Sequence, residues 1–288
     1  MTDVNPNVTT VGVIGGGTMG VGIAYVFAES GATVTVVEPN AWRATQVVDS
    51  IGNRADKMQR EGRLRSANAR DLQDRLSIVE SISALPLHLD LVIEAVPEDL
   101  DLKRAVLTDA QEREPVLLAS NTSSLGIASL GSVLRRRENF IGLHFFNPVW
   151  SMPLLEIVRG VDTAEDVVRA ATAIGRHIGK ETVVVQDVPG FATSRLGVAI
   201  GLEAIRMVED GVASAEDIDR AMVLGYRHPM GPLRLTDLVG LDVRLGIAHS
   251  LCQALGDRFT PPKLLVDMVA KGDLGKKTGK GFFEWPQA

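Results

Sequence analysis

The sequence predicts an α/β protein: a doubly wound, mostly parallel sheet followed by a second, smaller all-helical domain. Three observations carry that prediction. Short apolar runs alternate with helical stretches over the first two thirds of the chain, as parallel strands joined by crossover helices require. The apolar run Val11-Gly12-Val13-Ile14 passes straight into Gly15-Gly16-Gly17-Thr18-Met19-Gly20, a strand ending in a glycine turn that opens a helix. Beyond Asp187-Val188-Pro189-Gly190 the pattern turns helical to the end, with no strand run and no internal repeat.

Taken in order, the predicted strands are 11–14, 33–37, 89–95, 116–120, 140–143, 154–158 and 182–185. Between Asn40 and His88 the crossover is unusually long. It carries Arg43, Arg54, Lys57, Arg60, Arg63, Arg65 and Arg70 on helical patterns. That stretch, about 40–88, reads as a helical arm: either a solvated hairpin or a partly basic surface able to meet a phosphate-bearing substrate. A domain boundary near Asp187 separates 1–187 from a helical domain, 188–288. Helices are predicted there at 191–208, 215–222, 233–255 and 262–271; their apolar faces suggest dimerisation, and substrate closure is the other role expected of this domain.

Composition narrows the function classes. The chain has 288 residues, enough for two medium domains with proper cores. The net charge of −6, without any block of like charges, gives no reason to expect nucleic acid. No apolar run reaches membrane-spanning length, and the polar residues 1–10 do not read as a signal peptide. The one cysteine, Cys252, rules out an internal disulfide and a cysteine-based metal cluster, and it sits in an apolar helical pattern that suits packing. The expectation is a soluble, cytoplasmic protein with no metal.

A lone G-x-G-x-x-G is weak evidence, because glycines collect in any tight turn. Here the strand, the glycines, the helix, a second strand and a terminal acid form one short unit, which is the dinucleotide-binding fingerprint of a Rossmann-type domain. Gly15 permits the turn, Gly17 lets a pyrophosphate approach the backbone, and Gly20 lets the helix pack closely on the sheet. The first helical turn, with Thr18 and Met19, offers free N–H groups and a positive dipole end to the phosphates. Glu38, closing the second strand, can accept hydrogen bonds from a ribose 2′-hydroxyl and would repel a 2′-phosphate. Pro39 follows it, not an arginine, so the expected cofactor is NAD.

Two further segments fall at the carboxyl ends of strands, where open α/β sheets bind ligands. The first is Ser120-Asn121-Thr122-Ser123-Ser124. In the second, His144-Phe145-Phe146-Asn147-Pro148, the histidine follows an apolar strand and is flanked by aromatics. Glu156, inside Leu154-Leu155-Glu156-Ile157-Val158, needs a partner, because burying a bare carboxylate is expensive. His144 is the natural candidate, and a glutamate-paired imidazole suits a general base. Taken alone, His144 could be a satisfied structural residue, Glu156 could face solvent on an edge strand, and the serine loop could cap a helix. Their joint placement beside a dinucleotide site favours chemistry.

The chain resembles the 3-hydroxyacyl-CoA dehydrogenase family over nearly its whole length. The matching pieces are the glycine turn, Glu94-Ala95-Val96-Pro97-Glu98, the serine loop, His144 to Pro148, Asp187-Val188-Pro189-Gly190-Phe191, His228-Pro229-Met230-Gly231-Pro232, Asp237-Leu238-Val239-Gly240-Leu241-Asp242 and Gly275-Lys276-Lys277-Thr278-Gly279-Lys280-Gly281-Phe282. The resemblance implies a Rossmann-type domain with a helical dimerisation domain. It also implies NAD-dependent oxidation of L-3-hydroxyacyl-CoA to 3-ketoacyl-CoA, as in fatty acid β-oxidation. By position, His144 matches the family's base, Glu156 its carboxylate partner, and Ser123 the serine that contacts the substrate hydroxyl. Glu98 and Lys103 fall where the family contacts the cofactor. Arg54 and Lys57 lie on the arm where it binds coenzyme A. The family usually has asparagine where this chain has Ser194. Serine keeps one donor with shorter reach, so a direct bond to a substrate oxygen can become water-mediated. Two alternatives therefore stay open: a dehydrogenase of a free 3-hydroxy acid, and a catalytically silent NAD-binding relative.

Overall fold

The computed structural model describes residues 8–286; the predicted absence of a signal peptide at 1–10 lies largely outside them. The chain divides into two compact units, Met1–Val188 and Pro189–Ala288. In the first, β1 (Thr10–Ile14) leads through α1 (Thr18–Glu29) to β2 (Thr33–Val37). There follow α2 (Ala41–Arg60), α3 (Ala69–Gln73), β3 (Leu76–Val79) and β4 (Leu91–Glu94). Next come α4 (Leu100–Gln111), β5 (Leu117–Ser120), α5 (Ile127–Gly131) and β6 (Phe140–Phe145). The unit closes with β7 (Leu154–Arg159), α6 (Glu165–His177) and β8 (Glu181–Gln186).

All eight strands join one sheet in the order β3-β2-β1-β4-β5-β6-β7-β8. Every pairing is parallel except β6 with β7, which run antiparallel. The strand order reverses between β1 and β4, so the carboxyl end of β1 is the switch point where such sheets take ligands. Both faces are covered. Ile23 and Phe27 of α1, Val47 and Ile51 of α2, and Ala171 and Ile174 of α6 join a core with Val13, Ile93 and Leu143 of the sheet. Leu107 of α4, with Ile127 and Leu130 of α5, is buried as well. Burial from both sides is why the central strands read as unbroken apolar runs.

Two features of this first unit depart from the sequence reading. The stretch 40–88 is helical only in its first part, and β3 lies inside it. Leu76-Ser77-Ile78-Val79 is a short, half-buried edge strand, so it lacks the continuous apolar run that marks its neighbours. His144 lies within β6 instead of following it, because β6 runs on to Phe145.

The second unit is helical: α7 (Thr193–Glu209), α8 (Ala215–Tyr226), α9 (Pro232–Val239), α10 (Leu241–Leu255) and α11 (Lys263–Lys271). Its core gathers Leu202 and Ile205, Leu233, Leu241, Leu251 and Leu265. The single helix predicted at 233–255 is two helices bent by 99°. Gly240 makes the corner with φ 103°, a conformation that glycine adopts without a Cβ penalty. Asp237 pins the tail to α9, accepting from the backbone N–H groups of Phe282 and Phe283 and from the Trp285 indole. Cys252 is partly buried against this core. Among the described residues no single helix is long and apolar enough to cross a membrane.

Candidate active site

The glycine turn is shaped for a phosphate. Gly15 holds φ 112°, and a Cβ on Gly20 would collide with the Gly15 carbonyl, so strand and helix meet as closely as two backbones can. A Cβ on Gly17 would meet nothing within 4 Å, so that position opens onto free space. Gly17 caps α1 with no side-chain hydrogen bond and no acid stands in the first turn, leaving its N–H groups to a ligand anion. Thr18 is exposed, Met19 half-buried. Glu38 is 5 % exposed; its Oε2 accepts from Gly16 N at 3.1 Å and its Oε1 from Asn40 N at 3.0 Å. A carboxylate so fixed at the end of β2 suits a ribose hydroxyl, and with the open Gly17 it fits an NAD adenosine and pyrophosphate.

Beside the switch point, a buried ionic cluster organises the serine loop. Glu94, at the end of β4, is 0 % exposed. It accepts from Lys103 Nζ and Val96 N, each at 2.7 Å, and from Ser120 Oγ at 2.5 Å. Lys103, 1 % exposed, also donates to Val96 O at 3.1 Å and lies 3.4 Å from Glu98. Glu98 Oε1 in turn accepts from Thr122 Oγ1 at 2.7 Å, Ser123 N at 2.9 Å and Ser124 N at 2.9 Å. Burial works to raise the Glu98 pKa, but the Lys103 ammonium and the loop donors outweigh it and hold it below 4.5, its ordinary value. Ser123 is therefore held by its backbone, and Lys103 turns its charge inward onto carboxylates.

His144 and Glu156 face each other as direct register partners across β6 and β7. The imidazole Nδ1 lies 2.8 Å from Glu156 Oε2, with Glu156 0 % and His144 6 % exposed. With the carboxylate accepting at Nδ1, the lone pair falls on Nε2, the tautomer a base requires. The Phe146 ring lies 4.3 Å from the imidazole. Asn121 ties the serine loop to this strand, its Oδ1 accepting from Phe145 N at 2.9 Å. Lys180 clamps the β6–β7 turn, donating to the carbonyls of Val149 and Met152.

The sheet thus brings Gly15, Glu38, Glu98, Ser123, His144 and Glu156 to one edge. On the arm, the Arg54 guanidinium sits 5.1 Å over the Trp150 ring, and its Nε is buried without a hydrogen-bond partner. Lys57 is exposed, 3.9 Å from Glu61. Ser194 lies in the first turn of α7. Sequence reasoning missed Glu94, Asn121 and Lys180. The signal for Glu94 was the one used for Glu156, a carboxylate at the end of an apolar strand. Among the described residues no group of three metal-ligating side chains occurs.

A doubly wound sheet with this turn and edge defines an NAD-dependent oxidoreductase acting on a CH–OH group. The comparisons give the family. Residues 10–188 match the 3-hydroxyacyl-CoA dehydrogenase NAD-binding domain and residues 190–285 its C-terminal domain, so the chain belongs to the 3-hydroxyacyl-CoA dehydrogenase family. A probable 3-hydroxybutyryl-CoA dehydrogenase of Bacillus subtilis is 37 % identical over 278 residues, covering 96 % of each chain. A 3-hydroxyadipyl-CoA dehydrogenase of Escherichia coli is 39 % identical over 283 residues, 97 % of this chain and 59 % of that one. The crystal structure of (S)-3-hydroxybutyryl-CoA dehydrogenase from Ralstonia eutropha superposes with a TM-score of 0.92 at 37 % identity, covering 98 % of this chain and 100 % of that one.

Proposed function

We propose that the protein oxidises an L-3-hydroxyacyl-CoA to the 3-ketoacyl-CoA, with His144 as general base. The carrying observation is the His144–Glu156 pair, 2.8 Å apart on adjoining strands at the edge that holds the glycine turn. Bound NAD supplies the acceptor for the hydride that leaves C3. Nε2 of His144 takes the proton of the C3 hydroxyl, and Glu156 stabilises the imidazolium that results. Ser123, its backbone fixed by Glu98, holds the hydroxyl in line. Ser194 donates near the thioester oxygen, directly or through water. Lys103 serves the cofactor side through Glu98 rather than by touching NAD, since its ammonium is spent on two carboxylates and a carbonyl. Arg54 and Lys57 offer cations to the coenzyme A phosphates.

The reading extends to a homodimeric, cytoplasmic enzyme. Leu196 and Ile200 of α7, Leu224 and Tyr226 of α8, and Val243 of α10 are all exposed, which supports pairing through the helical unit. The experiment is NADH formation from NAD with (S)-3-hydroxybutyryl-CoA beside free 3-hydroxybutyrate. Turnover on the thioester is expected; turnover on the free acid alone would overturn the acyl-CoA assignment.

A further inference from the structure

The tip of the β6–β7 hairpin is seated against two helices of its own unit. Val149 enters a notch in α1, where a Cβ on Gly22 would stand 2.7 Å from the Val149 Cβ. Lys180, 7 % exposed, holds the carbonyls of Val149 and Met152 on either side of Trp150 and Ser151. Trp150 then turns its ring to both helices. It meets Tyr25 of α1 edge to face, with centroids 6.1 Å apart and planes at 78°, and the Arg54 guanidinium of α2 lies 5.1 Å over it. Tyr25 is 1 % exposed and donates to Glu29 Oε1 at 2.9 Å, so the wall behind the indole is fixed. Burial and the Glu29 carboxylate push the Tyr25 phenol above its ordinary value, which keeps its proton on that bond.

Arg54 depends on that ring. Its Nε is buried with no hydrogen-bond partner, so the indole face is what the guanidinium leans on. Lys57 follows three residues on along α2, so the two cations assigned above to the coenzyme A phosphates are neighbours on the arm. At the other end of the segment, Phe146 lies 4.3 Å from the His144 imidazole. One short stretch, 144–150, thus runs from the proposed base to the ring beneath a cation of the arm. The rungs of β6 and β7 set the spacing of His144 and Glu156; the seat of the tip sets where the hairpin lies against α1 and α2.

We propose that Trp150 is a positioning residue: it joins Arg54 to the hairpin that carries His144, so that phosphate binding on the arm aligns the base and raises kcat. This rests on the acyl-CoA reading above and adds how the remote part of the substrate serves the reaction. An anion beside Arg54 fixes the guanidinium, and the guanidinium fixes the indole it covers. The indole in turn fixes the tip whose backbone runs back through Phe146 to His144. Binding energy from a non-reacting part of a substrate accelerates chemistry only when it is realised in alignment of this kind; otherwise it lowers KM alone. The gain in kcat is roughly threefold to thirtyfold, the range of a cation–π contact from exposed to desolvated.

The test uses the full-length protein with saturating NAD and two substrates, (S)-3-hydroxybutyryl-CoA and (S)-3-hydroxybutyryl-pantetheine. They share the reacting end, and only the first carries phosphates. The wild type is expected to give the higher kcat with the coenzyme A thioester. Trp150→Leu should bring the two kcat values together by lowering that of the coenzyme A thioester, with its KM little changed. Trp150→Phe retains a ring face and should restore an intermediate difference. Should Trp150→Leu fail to fold, Arg54→Met removes the cation and leaves the ring, and it should close the kcat difference as well. Equal kcat for the two substrates in the wild type overturns the proposal and leaves the dehydrogenase reading standing, the phosphates then serving KM alone. So does a proportionate loss on both substrates in Trp150→Leu, the mark of a purely structural role. Turnover on neither thioester sinks both readings.

Discussion

Two buried carboxylates stand at the same edge of the sheet, and their partners set them apart. Glu94, at the end of β4, meets an ammonium, a backbone N–H and a serine hydroxyl. Glu156, on β7, meets an imidazole. An ammonium offers donors only, whereas an imidazole that donates at one nitrogen keeps an acceptor at the other. The Glu94 cluster suits holding a shape and the Glu156 pair suits moving a proton. Burial is alike in the two regions; what the partner can donate and accept separates them.

That contrast can be broken in four places. His144→Gln should have the largest effect, lowering turnover by roughly 10²–10⁴-fold while NAD affinity stays nearly unchanged. Initial rates beside a fluorescence titration of NAD would check it, and survival of more than about a tenth of the rate would exclude His144 as the base. Lys103→Met should act on stability first. It strips the cation from Glu94 and Glu98, and breaking a buried pair of this kind costs about 3–5 kcal/mol, read from urea unfolding. An unchanged midpoint would mean that the cluster is not the brace described above.

Glu156→Gln should be milder than loss of the imidazole, on the order of tenfold to a hundredfold in kcat, with an altered pH–rate profile. A profile superposable on the wild type would dissolve the pairing. Glu98→Gln is the smallest effect and carries a pH signature. The folded pKa of Glu98 lies below its ordinary value, so its charge stabilises the fold above that value, and the gain is lost as pH falls through the folded pKa. The stability gap between variant and wild type should thus be full at neutral pH and close in acid. A gap independent of pH would refute the ionic account.

Much of the fold is legible in the sequence for a physical reason. Strands covered on both faces, such as Leu91–Glu94 and Leu117–Ser120, are apolar up to their last residue, and those runs announce themselves. Leu76–Val79 at the edge is only half-buried, so its serine and its charged flanks conceal it among helical patterns. The bend at Gly240 is hidden because an apolar periodicity continues smoothly across it. At the site, the His144–Glu156 contact follows from the cost of an unpaired carboxylate. The same reasoning reaches Glu94, yet its partner Lys103 is nine residues away on the next helix, and only the packing of α4 makes them neighbours.

The antiparallel pairing of β6 and β7 has an evolutionary corollary. His144 and Glu156 are opposite rungs of one backbone ladder, so their spacing is inherited from strand geometry and owes little to the turn that joins them. In the intervening segment, 146–153, Phe146 lies against the imidazole, Val149 is in the core and Lys180 holds the Val149 and Met152 carbonyls, so the exposed Asn147 and Ser151 are where composition can change without detuning the pair. A one-residue slip within either strand is different: it turns the carboxylate to the opposite face of the sheet and disconnects it at a stroke. Variation in this lineage should accumulate at the exposed positions of the hairpin tip and stop at its rungs.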